Sequence, residues 1–454
     1  MTFGVSRDHG EFEWSGTAEG IFAQRSNVFS LRMWRMIFDI VRFNQFALDL
    51  LGENVPQPNG HVDVREKDEG SGKGKGYGAD MSIGEYLKRE GYSQAFTDDY
   101  LIPMTAAVWS TSPDKASLNF PAITLVRFMW NHHLLSTLAT RPDWYTIPGG
   151  SQQYIDAIVK NADTTRFHVH TNTPIQHIKR VPTGGKRQVI CTNPSTGQTE
   201  TQDFDHIIIA THGDEILPLL TPSQSASPLE ESILSTFETT ENIAYLHSDT
   251  HFAPRRRAAW TAWNYLTTSS ASELAHPAGV SLTYWMNLLQ HIPEHRYGPV
   301  LVTMNPSHPP DPAKTQGKFV YRHPLYTPAA VSAQARLAQI QNVDGLSYAG
   351  AWTKYGFHED GFSSGLKVAV DHLGAKLPFG FVDSTYSRGR APVFDARDRV
   401  LRAMVLSIQR VIVLAEWVLG LPLVGWVLVV LAEAHDMLVE IMEGERGKWR
   451  HKLQ

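Results

Sequence analysis

The chain has 454 residues, 42% of them hydrophobic and 19% charged, with a formal net charge of −5. That length can bury a large core and suits two or three domains or one elaborate one, while the mild negative charge and the lack of repeated basic stripes exclude a nucleic-acid binder. Cys191 stands alone, which excludes an intrachain disulfide framework and a cysteine-only metal site and suits an intracellular compartment, and the opening MTFGVSRDHGEFEW lacks the apolar core of a signal peptide.

In chain order, SRDHGEFEWSG reads as a hairpin-like pair turning at Asp8 to Gly10, and Leu31 to Leu51 carries apolar residues three and four apart, which predicts a helix. Residues 62–80, with the run DVREKDEGSGKGKGYGAD, predict a solvated flexible loop. Ser82 and Glu85 form a capping-box signature for a helix over IGEYLKREG. Tyr100 to Trp109 and Phe120 to Leu138 are helix-like and are expected to line a substrate region. His132 and His133 are adjacent, so on a helix they point about 100° apart and cannot form the i, i+4 pair a metal prefers. No metal site is expected.

From Tyr145 the pattern becomes α/β. A helix opens at Gly150 to Ser151, FHVHTNTPIQHIKRV reads as a strand bent at Pro174, and RQVICTN is a strand that buries Cys191. FDHIIIATHGDEILPLL gives a buried strand, Ile207 to Ala210, running into a loop and a short helix. Arg255, Arg256 and Arg257 precede Trp260, Trp263 and Tyr265. That block either binds an anion or a flat ring or is a solvated arginine cluster over packed tryptophans. Tyr321, His323, Pro324 and Tyr326 form either a loop near a ligand or a proline-pinned turn with aromatic packing.

In LSYAGAWTKYGFHEDGFSSGLKVAVDHL, Leu346 to Leu373, an apolar strand ends in Ala349 and Gly350, an aromatic loop follows, and Gly361 and Gly365 open an amphipathic helix. Small residues and free N–H groups at a helix start favour an electron-rich ligand, although an ordinary strand-to-helix connection has the same spacing. Gly361 to Gly365 also satisfies G-x-S-x-G, the serine hydrolase elbow with Ser363 as nucleophile, but polar WTKYGFHED stands where that motif requires a strand. Beyond a linker at 376–400, Val411 to Ala432 holds one charge, Glu416, and is long enough for the ~30 Å hydrocarbon core, though Pro422 and two glycines interrupt it. Residues 411–432 are expected to associate with a membrane as an interfacial or re-entrant segment, with a true span and a buried helical hairpin turning at Gly420 to Pro422 as the alternatives.

The strand-loop-glycine-helix segment resembles the C-terminal flavin-binding segment of the flavin-containing amine oxidase and phytoene desaturase group. With TFGVSRDHGEFEWSG, LHSDTHFAPRRRAAWTAWNYL and SLTYWMNLLQ it also resembles the NAD/FAD-binding dehydrogenases linked to cyclopropane fatty acid synthases, over most of residues 2 to 374. The resemblance implies an α/β (α+β) fold: a Rossmann-like FAD-binding domain of amine-oxidase type with a mixed substrate domain over 1–375, and a helical apolar module over 401–454. It implies FAD as cofactor, with Pro174, Ile175, Ala210 and Thr211 on the dinucleotide side and Gly350, Gly361, Phe362, Ser364 and Gly365 at the flavin end. Phe357, His358 and Trp285 are the implied substrate-facing residues, and SLTYWMNLLQHI with PVLVTMNP the implied antiparallel sheet. No catalytic acid or base is assigned.

The implied activity is an oxidoreductase's, hydride transfer from a small-molecule or lipid-derived substrate to flavin. The spacing from Gly361 to Gly365 is one residue shorter than in amine oxidases, which counts against amine substrates, and the family's association with lipid-modifying enzymes implies an acyl chain or lipid-derived substrate at least as readily. The family also carries a strand, a G-x-G-x-x-G turn and a helix for the pyrophosphate. Here the spacing recurs only at Gly74, Gly76 and Ala79, inside the polar loop, so the FAD domain is expected to be N-terminally incomplete, to bind FAD when extended upstream and, as it stands, to bind it weakly or not at all. A serine hydrolase using GFSSG and a non-catalytic membrane-associated protein are the alternatives. The expected location is intracellular, either cytoplasmic or membrane-associated.

Overall fold

The computed structural model describes residues 3–53, 81–109, 118–135, 142–181, 186–268, 280–383, 385, 387–389 and 391–419. The polar run at 62–80, with Gly74, Gly76 and Ala79, lies outside the described residues, as do 420–432. Two compact units divide the chain, Met1–Pro392 and Val393–Gln454.

In the first unit, β1 (Phe3–Arg7) and β2 (Phe12–Ser15) form the expected hairpin. Its turn holds Asp8, His9 and Gly10 at φ of 51°, 54° and 92°, a region that only glycine enters without cost. Helix α1 (Leu31–Phe46) is capped by the Ser30 hydroxyl, which accepts from the Met33 N–H. It stops five residues before the expected Leu51, where a 3-10 turn at Ala47–Asp49 leads into one further turn at Leu50–Glu53. Helix α2 (Ile83–Glu90) has the complete Ser82/Glu85 capping box and ends at Gly91 in the left-handed region. Helices α3 (Ile102–Trp109), α4 (Ala122–Asn131) and α5 (Gln152–Asn161) follow, the last with no buried residue.

Strands β3 (Ile175–Arg180), β4 (Arg187–Thr192) and β5 (Thr199–Phe204) make an antiparallel sheet. The expected strand upstream of Pro174 is absent, because Asn172 takes φ of 55° and breaks the extended backbone. Next come β6 (Ile207–Ile209), α6 (Gly213–Leu220), α7 (Pro228–Leu234), β7 (Thr239–His247), β8 (Trp263–Thr267), β9 (Val280–Trp285) and β10 (Leu301–Met304). They are followed by β11 (Thr315–Pro324), α8 (Pro328–Arg336), β12 (Leu346–Tyr348) and α9 (His358–Lys367). Tyr321, His323 and Pro324 therefore belong to an edge strand and not to a loop.

The large sheet runs β11-β7-β10-β9-β8-β1-β2 and is mixed, since β1 pairs with β8 in parallel. Alternation along the strands puts Val5, Tyr265, Leu282 and Met304 on one face, in a core with Met33, Met36, Phe43, Leu125 and Met129 from the helices. The other face buries polar groups that satisfy one another: His247 Nε2 meets the Thr303 hydroxyl at 2.7 Å, and Thr303 meets Thr283 at 2.8 Å. A second core gathers Ile209, Ile216, Leu220, Ile233, Leu346 and Tyr348 around the parallel pair β6–β12. Ile208 is 42% exposed, so the strand expected to be buried is covered on one face only. The architecture is α+β.

In the second unit, α10 (Ala396–Leu419) begins inside the stretch expected to be linker. No helix among the described residues is long and apolar enough to cross a membrane.

Candidate cofactor site

Because β6 and β12 are parallel, both chains leave the small sheet at the same edge, the edge where α/β proteins place ligands. Ala210 and Thr211 follow one strand, and Ala349 and Gly350 the other. Trp352 ties the two ends by donating its indole N–H to the Thr211 carbonyl at 3.1 Å. Gly350 has φ of 143°, and a Cβ there would lie 2.4 Å from Trp352 Nε1. Only glycine fits.

Side chains far apart in sequence hold β12 in place. Arg180 donates to both Glu230 oxygens at 3.0 and 2.6 Å, and the Tyr348 hydroxyl donates to the same carboxylate. Burial pushes the Glu230 carboxyl up, but the hydrogen bonds from Arg180, Tyr348 and Ser227 outweigh it and hold it below the usual glutamate range. Among the described residues no strand pairs with the outer edge of β12. Instead the Gln341 carboxamide accepts from the Tyr348 N–H at 2.9 Å and donates to the Tyr348 carbonyl at 2.7 Å, as a neighbouring strand would.

The aromatic loop leads into α9. Asp360 is buried and accepts from the backbone N–H groups of Tyr355 and Phe357 at 3.2 and 3.1 Å, which fixes the loop against the helix start. Phe357 stacks on Phe128 with ring centroids 5.3 Å apart and planes 17° apart, and Tyr355 meets Phe128 edge-on at 5.6 Å. Gly356, at φ of 89°, receives the Tyr326 ring, whose hydroxyl would sit 2.5 Å from any Cβ. His358 is exposed, and its Nδ1 lies 3.3 Å from the Tyr154 hydroxyl, which brings the first turns of α5 and α9 together.

Gly361 and Gly365 lie four residues apart and share one face of α9. A Cβ on Gly361 would come no closer than 3.5 Å to the Ala351 nitrogen, and one on Gly365 would meet nothing within 4 Å. The fold therefore requires neither glycine, yet each costs the helix about 0.5–1 kcal/mol relative to alanine. Phe362 between them is 48% exposed. Helix α9 starts at His358, so Gly361 and Gly365, expected to open it, lie inside it. A helix face without side chains beside two strand ends is the shape a flat ring takes up, so these residues fit the flavin end of FAD. Among the described residues, no second Gly-rich turn follows a parallel strand to take a pyrophosphate.

Other expected residues lie elsewhere or are already occupied. Ser364 accepts the Gly350 N–H at 2.8 Å and donates to the Gly361 carbonyl at 2.7 Å, so its hydroxyl holds the site's own backbone. Pro174 and Ile175 sit at the start of β3, in the antiparallel sheet. Trp285 lies on the sheet face opposite the core against which Phe357 packs, and meets Trp260 edge-on at 5.5 Å. Ser363 is buried inside α9 and donates to Glu359 at 2.8 Å. G-x-S-x-G here is a stretch of helix, without the strand-to-helix elbow that exposes a nucleophile, which removes the hydrolase alternative. His132 packs against Phe128, and burial lowers its pKa. Sequence reasoning missed Glu230, Arg180, Gln341 and Asp360, of which Glu230, in a Ser227/Glu230 capping box, and Asp360, an acid in a first helical turn, left a local signal.

No family model matches the chain, and no curated protein does. Among solved structures the chain is similar to a CLA-producing fatty acid isomerase from P. acnes, with 12% sequence identity over 82% of this chain and 80% of that one and a TM-score of 0.49. These comparisons do not assign the chain to the amine oxidase family.

Proposed function

We propose that the chain is an FAD-dependent oxidoreductase acting on a small, acyl-chain or other lipid-derived substrate. The observation that carries this reading is the pair Gly361 and Gly365, two helix glycines that the fold does not require, of which Gly365 faces open space and Gly361 lies against Ala351 at the end of β12. FAD, when bound, supplies the ring that accepts a hydride. Gly361 and Gly365 let the α9 backbone approach that ring, Gly350 keeps the strand end narrow, and the positive end of the α9 dipole favours its electron-rich edge. Ser364 preserves the shape of this edge through its bonds to Gly350 and Gly361. Phe357, fixed by Asp360 and Phe128, walls the substrate slot and excludes water, while His358 with Tyr154 borders its mouth. Ala210 and Thr211 would meet the dinucleotide at the other strand end. Pro174 and Ile175 are assigned to its far side on resemblance alone, and Trp285 receives no role.

The aromatic walls favour a carbon chain. If the purified chain is loaded with FAD and mixed anaerobically with fatty acids or with aliphatic amines, the flavin absorbance should bleach with the acyl substrate. Bleaching by amines alone would move the substrate class back to amines, and bleaching by neither would remove the oxidoreductase reading.

The same reading gives α10 a membrane-facing role. Val400, Met404, Ile408, Val411 and Trp417 are all about half exposed or more along it, an apolar surface suited to lying at a bilayer interface, where a lipid-derived substrate resides.

A further inference from the structure

A cavity of about 670 Å³ opens on the face of the large sheet opposite the aromatic core. Ser6, Leu266 and Ser281 line it, while their strand neighbours Val5, Tyr265 and Leu282 point into that core. Its size is that of a small-molecule site.

The arginine triplet is divided at this cavity. Arg256 turns inward to buried Glu13 and the Gly10 carbonyl, at 2.9 and 2.7 Å. Arg257 pairs with Glu294 and lies over the rings of Trp260 and Trp285 at 4.0 and 4.3 Å. Arg255 lines the cavity, and among the described residues its guanidinium has neither a hydrogen bond nor an ion pair. Its stem is nonetheless fixed. The Arg255 backbone N–H donates to Glu13 at 2.6 Å, and a Cβ on Gly10 would stand 2.7 Å from Arg255 Cδ, so glycine in the strained Asp8–Gly10 turn makes room for it. The carboxylates nearby are already matched, Glu294 by Arg257, and Asp249 by His251 and Lys314. His9, His251 and His308 bring imidazoles to the cavity from three separate turns, and Phe252 and Trp260 give it apolar walls.

We infer that this cavity binds an organic oxyanion, a carboxylate or phosphate ester whose head pairs with Arg255 and whose apolar body lies along Phe252 and Trp260. A guanidinium held by its stem and left without a counter-charge is preorganised for a forked contact with such a head. The site shares no residue with the proposed flavin end, so it stands or falls independently.

The test is calorimetric titration of the full chain with phenylacetate and phenyl phosphate, beside neutral phenylacetamide and inorganic phosphate. Both organic anions should bind, and Arg255→Met should weaken both by about tenfold or more. Its Tm should not change, since the guanidinium holds no part of the fold, and Arg336→Met, outside the cavity, should bind as the parent does. Equal affinity in Arg255→Met, no saturable binding of either organic anion, or binding of phenylacetamide or inorganic phosphate as tight as that of the organic anions would each overturn the inference.

Discussion

At Gly365 helix stability and retained sequence pull in opposite directions. A side chain there would meet open space, so Gly365→Ala should stabilise the protein by about 0.5–1 kcal/mol in urea denaturation. Destabilisation would mean that the glycine serves packing after all. Glu230 is the opposite case, a buried carboxylate on which Arg180, Tyr348 and Ser227 converge. Glu230→Ala leaves Arg180 uncompensated and should cost about 3 kcal/mol. Its folded pKa lies below the ordinary value, so protons favour the unfolded chain. The stabilisation is complete well above pH about 4.3 and is lost as pH falls through the folded value. Denaturant midpoints measured down this range should therefore fall more in the parent than in Glu230→Gln, and parallel curves would contradict the assignment. Ser363, bonded to Glu359 inside a helix, should take no label from a fluorophosphonate.

Among the elements, β12 depends most on contacts that leave no periodic trace in the sequence. Gln341→Ala removes both bonds to Tyr348 and leaves a buried N–H and C=O without partners, which should cost about 1–3 kcal/mol and raise hydrogen exchange at Tyr348. Unchanged exchange there would show that the edge is closed by something else. The hairpin at Asp8–Gly10, the α2 capping box and the strand-to-helix passage from Leu346 to α9 were legible because each is written in local spacing. Strand β11 was not, since Phe319, Val320 and Tyr321 are all about half exposed on a sheet edge and show no alternation. Nor could local spacing reveal that Arg256 seeks Glu13 across most of the chain, or that Arg180 seeks Glu230. At the candidate site the glycines were visible, but that the fold leaves them unfilled was not.

For the molecule as a whole, the α+β body and the helical second unit should be separable in what they bind. Removing residues 393–454 should abolish flotation with anionic vesicles if α10 contacts membrane, and full-length protein that ignores vesicles would rule that contact out. The central claim concerns FAD. The most direct measurement is a titration of the purified full chain and of Gly365→Leu with FAD, followed by fluorescence, with the Tm of each recorded. The account predicts weak but saturable FAD binding by the parent, since no pyrophosphate turn stands among the described residues, and weaker binding still by Gly365→Leu at a Tm close to the parent's. No binding by the parent, or equal binding by both, would contradict it.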